Sequence, residues 1–137
     1  MIRVLLLISC LYSLDNQSFK IKFLGIPAAE VKLEVNDIYY ENKKAKSIIF
    51  QTNSINLTKY IFNVDNYYET ITSDNLQTIL SFNKKTSQPN VINNIQTSTI
   101  NNEVFYDNSS ILIPKNTFNI FSLLYFISKN KIINSQT

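Results

Sequence analysis

The stretch Phe19-Lys20-Ile21-Lys22-Phe23-Leu24-Gly25-Ile26-Pro27-Ala28-Ala29-Glu30-Val31-Lys32-Leu33-Glu34-Val35 decides the fold. In its first part apolar Phe19, Ile21 and Phe23 alternate with Lys20 and Lys22; in its last part Val31, Leu33 and Val35 alternate with Glu30, Lys32 and Glu34. A period of two sends successive side chains to opposite faces, so each part reads as a strand with one apolar and one wet face. Gly25 and Pro27 punctuate the middle, and the only glycine of the chain stands where a tight turn needs positive φ. The predicted unit is a β-hairpin that sets lysines on one strand near glutamates on the other, each pair worth ~0.2–1 kcal/mol.

Outward from the hairpin the same alternation recurs over residues 37–40, 44–51, 64–71 and 76–82, and more weakly over 91–100, 103–106 and 111–113 before Pro114. Asn42-Lys43, Ser73-Asp74-Asn75 and residues 83–90, which include Pro89, read as the turns between them. Strands at spacings of roughly 8–12 residues predict an antiparallel sheet, either a meander or an open half-barrel, of about seven or eight strands. Residues 56–62 break the period and suit a short helical turn. Residues 118–127 predict a helix, with Asn116 or Thr117 as its cap and Phe118, Phe121, Ser122 and Tyr125 on one face. Ile120, Leu123, Leu124 and Ile127 make its other face apolar too, so the expectation is a helix buried nearly all round, covering the concave side of a curved sheet. The mainly-β domain then occupies residues 19–128, and 129–137 form a tail.

The composition narrows the chemistry. The chain has 137 residues, 45% hydrophobic, 17% charged and 12% aromatic, the profile of one globular domain. A net charge of +3 is too mild for a nucleic-acid binder. With no His and one Cys, zinc clusters, disulfide frameworks, Ser-His-Asp triads and Cys-His dyads are excluded. A single Gly excludes the glycine-rich phosphate loops, and no cofactor is implied. Asn and Ile, at 19 and 20 copies, are A/T-codon residues whose excess reads as genomic bias; the asparagines gather between apolar runs, as turn residues do.

Met1-Ile2-Arg3 carries one positive charge and residues 4–9 are apolar or small, the layout of a secretory signal over residues 1–13. The apolar run is far short of the ~18 residues of a membrane span. Leu7-Ile8-Ser9-Cys10 also fits the pattern before a lipidated bacterial cysteine, with Cys10 as the acceptor. A cleaved signal, lipidation at Cys10 and a buried first strand are the three readings of this segment.

Asp65 and Glu69 flank Tyr67 on what would be one strand face, but four residues of strand span ~13 Å, whereas paired catalytic carboxylates sit ~5–9.5 Å apart. Ser81/Lys84 and Ser128/Lys131 match the Ser-x-x-Lys spacing of serine acyl enzymes without the companion motifs. Lys43, Lys44 and Lys46 form the densest basic stretch, a solvated turn or a contact for anionic lipid heads. The aromatic residues are the remaining resource: Tyr39-Tyr40 and Tyr67-Tyr68 each put one ring on either face of a strand. Phe62, Tyr67, Tyr68, Phe121 and Tyr125 are the candidate ligand or partner surface.

Residues 19–35, with an aromatic strand, a Gly, a small-residue pair and an alternating strand, resemble the opening hairpin of domain-of-unknown-function family 3108, a set of exported bacterial proteins. Tyr60-Ile61-Phe62-Asn63-Val64-Asp65-Asn66-Tyr67-Tyr68-Glu69-Thr70 resembles its second landmark, and residues 118–127, with Ser122-Leu123-Leu124-Tyr125 at their centre, its central helix. The family often carries an acidic residue before that Ser and an Arg at the helix end, where this chain has Asn119 and Ser128. Its members continue with further strands, so the resemblance covers their first half to two-thirds; the remaining sheet is then lost, truncated or supplied by a partner. The resemblance implies export and a mainly-β fold and brings no activity.

Together these features predict a non-enzymatic protein of a Gram-negative-type envelope, periplasmic or attached to the outer membrane, without a transmembrane span. Its curved sheet would hold an apolar ligand such as a lipid or acyl chain. The alternative is a structural or assembly module that pairs through an open sheet edge with an envelope partner or a second copy. A carboxylate-based hydrolase is the enzymatic alternative.

Overall fold

A computed structural model describes residues 16–134, with side chains to residue 130. The expectations for residues 1–13, lipidation of Cys10 among them, lie outside the described residues.

The fold is mainly β, as the alternation predicts. Strands β1 (Asn16–Phe23), β2 (Ile26–Tyr40), β3 (Lys43–Ser54), β4 (Asp65–Ser73), β5 (Ile79–Gln88), β6 (Val91–Ile100), β7 (Glu103–Tyr106) and β8 (Ser109–Leu112) form one sheet in sequence order. Every neighbouring pair is antiparallel, and among the described residues β1 and β8 are the terminal strands of an open meander. A short helix α1 (Thr58–Ile61) sits inside the predicted 56–62 turn, and α2 (Ile120–Asn134) lies on one face of the sheet.

The opening hairpin forms with Leu24 and Gly25 both left-handed, at φ 49° and 82°. That is the two-residue turn whose twist matches the flanking strands. Pro27 lies inside β2 instead of in the turn, at a register shift: Ile21 faces Ala29 while Lys22 faces Pro27. A proline cannot donate to the ladder, and a bulge leaves room for that missing donor. Lys20 stands opposite Glu30, yet the Glu30 carboxylate accepts from Ser18 Oγ at 2.9 Å, consistent with the small value of an exposed ion pair.

Asparagine does elsewhere what glycine does at residue 25. Asn42, Asn56, Asn90, Asn101, Asn102 and Asn116 all have positive φ. Asn tolerates the left-handed region better than other non-glycine residues, which lets a chain with a single glycine turn this often. Pro89-Asn90 alone joins β5 to β6, so residues 83–88, expected as turn, are strand. Their weak β propensity is overridden because β5 is paired on both sides. Residues 37–40 likewise continue β2. Leu76, expected to open a strand, instead occupies the β4–β5 turn with φ 64° and drops its side chain into the core.

The helix differs from expectation in its two ends, its cap and its burial. It begins at Ile120, it continues to Asn134, and Asn119 caps it in place of Asn116 or Thr117. Asn119 Oδ1 accepts from the Ser122 N–H at 2.9 Å, while the Asn119 N–H donates to Ser122 Oγ at 3.1 Å. This reciprocal pair satisfies two donors at the helix start. Phe121, Ser122, Tyr125 and Ser128 are half-buried or buried. Ile120, Leu123, Leu124 and Ile127 are 59%, 38%, 46% and 38% exposed, so the helix is not buried all round. One sheet covers one side of a helix; a second layer is needed to cover the other. Ile48, Leu76 and Tyr125 form the buried centre, with Leu33, Val35, Phe121 and Phe126 packed against it.

Candidate functional site

The register assigns each strand residue to a face. Phe121 of α2 stacks on Phe50 with ring centroids 5.1 Å apart and lies 5.2 Å from Tyr68, so Phe50 and Tyr68 belong to the helix-bearing face. Leu33 pairs with Phe50, Val31 with Phe19, and Ala29 with Ile21, which puts Phe19 and Ile21 on that face as well. On the far side Thr70 pairs with Phe82, Phe82 with Thr97, and Thr97 with Tyr106. The helix packs over β3 and β4. Beside it lie two apolar shelves, one with Phe19, Ile21 and Val31, the other with Phe82, Ile95, Tyr106 and Ile111.

Of the five candidate surface residues, three meet on this face: Tyr68, Phe121 and Tyr125. Tyr125 is buried and carries the Lys129 ammonium 5.2 Å from its ring centre. Phe62 does not join them; it is exposed just after α1, and its carbonyl accepts from Ser54 Oγ at 2.8 Å. Tyr67 is on the opposite face, as strand alternation requires of the neighbour of Tyr68. Thr70 is fully buried on the helix-bearing face, a contribution that hydropathy alone does not flag for a threonine, while Ala45 is buried on the opposite one.

The opposite face is mixed, with Ile49, Ile71, Ile92 and Phe105 among its polar residues. Asp65, Tyr67, Asn83, Lys85, Ser87 and Asn94 line a shallow groove of about 390 Å³. Burial first, then the charge of Glu69 and a hydrogen bond to it, raise the Tyr67 hydroxyl above its usual pKa. Glu69 also accepts from Ser47 Oγ at 2.8 Å, and the Asn53 amide, turned with its nitrogen toward the carboxylate, donates to Asp65 at 2.9 Å. Asp65 and Glu69 share a face, but each is held by its own structural partners. Ser81 and Lys84 point to opposite faces, and Ser81 Oγ donates to the Thr97 carbonyl at 3.0 Å. Ser128 Oγ donates to the Tyr125 carbonyl at 2.7 Å.

The basic stretch divides. Lys43 and Lys44 are exposed, whereas Lys46 lies between Asp37 and Asp74. The hydrogen bond to Asp37 outweighs the desolvation of Lys46 and raises its pKa. Among the described residues no group of His, Cys, Asp and Glu is placed to hold a metal ion, and no helix is long and apolar enough to cross a membrane.

No protein-family model, curated protein or solved structure matches the chain.

Proposed function

We propose that this chain is a non-enzymatic, exported envelope protein that holds an apolar ligand, an acyl chain, on the helix-bearing face of its sheet. The carrying observation is the incomplete cover of that face: Phe19 and Ile21 remain 38% and 50% exposed beside the α2 cluster. An acyl chain laid in the angle between sheet and helix would remove this surface from water at about 25 cal/mol per Å². The secretory layout of residues 1–13 and the resemblance to family 3108 support the exported setting.

Native mass spectrometry of the chain, released gently from the envelope fraction of a Gram-negative host, tests the reading. A non-covalent adduct of lipid size is expected. A bare monomer overturns it.

The edge of β8, which pairs with no further strand among the described residues, favours a second reading, a module that pairs with another strand. A dimer mass in the same experiment supports that one.

A further inference from the structure

Three connections at one end of the sheet are apolar and lie side by side. The β1–β2 turn presents Leu24 and Ile26, the β3–β4 connection presents Leu57, Tyr60 and Ile61 around α1, and the β5–β6 turn leads into Ile92. All six are more than half exposed, and Leu24, Tyr60, Ile61 and Ile92 are more than four-fifths exposed. The ladder makes them neighbours. The Ile55 N–H donates to the Ala28 carbonyl at 3.0 Å, at the base of the first turn, and Asp65 pairs with Ser87, which pairs in turn with Ile92. The β7–β8 turn stands apart, because Tyr106 pairs with Thr97, about 20 Å along β6 from Val91. Nothing in the fold requires apolar turns: those at the other end of the sheet carry Glu41, Lys43, Asp74 and Glu103. Residues 22–28, 55–64 and 88–92 contain Lys22 and Lys59 and no Asp or Glu. Both lysines are exposed and in no ion pair among the described residues. Glu30 and Asp65, at the base of this end, accept from Ser18 and Asn53.

We propose that this end of the sheet docks on an anionic lipid bilayer, its apolar tips sinking to headgroup level while Lys22 and Lys59 meet the anionic heads. The inference is independent of what the helix-bearing face holds. Contiguous exposed apolar surface marks an interaction site, whereas scattered single residues do not. A tyrosine such as Tyr60, with an apolar ring and a polar tip, suits the boundary between headgroups and acyl chains. Lysine stems lie along apolar surface and keep their ammonium groups in the headgroup layer. Charge selects the occupant. Cations without carboxylates complement an anionic surface, whereas a second copy of the same end sets lysines against their own sign.

The test mixes the full chain with vesicles of phosphatidylcholine, alone or blended with phosphatidylglycerol, and reads co-sedimentation and amide exchange. The blended vesicles should bind about ten-fold tighter, lose that advantage in high salt, and protect residues 22–28 and 55–62 from exchange. The L24N/I61S variant should lose most of its binding to both vesicles, and K22E/K59E should lose the preference for phosphatidylglycerol. All four positions are exposed, and the exchange pattern of the unaltered chain stands by itself if a variant folds poorly. Absence of binding, binding that both variants retain, or protection confined to other residues overturns the inference. Self-association that L24N/I61S abolishes also overturns it and assigns this end to a second copy.

Discussion

Asn119 joins the helix to the sheet through both ends of one amide: its Oδ1 accepts from the Ser122 N–H at 2.9 Å, and its Nδ2 donates to Thr70 Oγ1 at 2.7 Å. One side chain thereby caps α2 and fixes its start over β4. Asn119→Ala should cost about 1–3 kcal/mol, the sum of a lost cap and a lost part-buried hydrogen bond. Asn119→Asp keeps the cap acceptor and loses the donor to Thr70, so it should fall between. Urea denaturation followed at 222 nm ranks the three, and equal stability of the alanine variant and the parent refutes the assignment.

The two sides of α2 should respond differently to mutation. Phe121→Ala removes the ring stacked on Phe50 and tilted against Tyr68 and should destabilise by about 2–4 kcal/mol, near the low end for a core phenylalanine because the ring is half-buried. Leu124→Gln, on the exposed side, should change stability by less than about 0.5 kcal/mol. A comparable loss in both variants would mean that the outer side is covered.

At Gly25 the backbone, not the space, sets the constraint. A Cβ there meets no heavy atom within 4 Å, but φ is +82°. Gly25→Ala should cost about 1 kcal/mol, and Gly25→Asn less, since asparagine accepts the left-handed region. Thermal melts of the two variants decide this; an alanine variant as stable as the parent would show that the turn has changed type.

Lys46 and Tyr67 predict the alkaline limit of stability. Both hold their protons above their usual values of 10.5 and 10.0, Lys46 through its hydrogen bond to Asp37 and Tyr67 through burial beside Glu69. The unfolded chain therefore releases these protons first as pH rises. Their stabilising contribution is complete below about pH 10 and is lost as pH climbs through the folded-state values. The melting temperature should fall above pH 10, and less steeply in Lys46→Met. An unchanged slope in that variant would remove Lys46 from the explanation.

Much of the fold is legible locally. The alternation of Phe19 to Val35 with Gly25 between its halves leads directly to the hairpin, because period two and a required positive φ are properties of neighbouring residues. Residues 83–88 were not legible as strand, since Asn83, Lys84 and Lys85 are poor strand formers and only pairing with β4 and β6 makes them β. The apolarity of Leu76 predicts strand, whereas its burial depends on where the turn places it. The candidate surface was legible in part. Tyr68, Phe121 and Tyr125 converge, but Phe62 turns outward once α1 ends, and no spacing rule predicts that.

By itself the sequence determined the β alternation, the turns that its asparagines and single glycine permit, and the chemistry that a chain without histidine cannot perform. These follow from backbone sterics and side-chain inventory, which act over a few residues. Only the tertiary structure decided that the sheet stays open, that α2 covers β3 and β4 and leaves its own outer side exposed, and that Asn119 reaches Thr70. Those outcomes depend on which surfaces meet at a separation of 49 positions, from Thr70 to Asn119, and on how much apolar area one helix can cover.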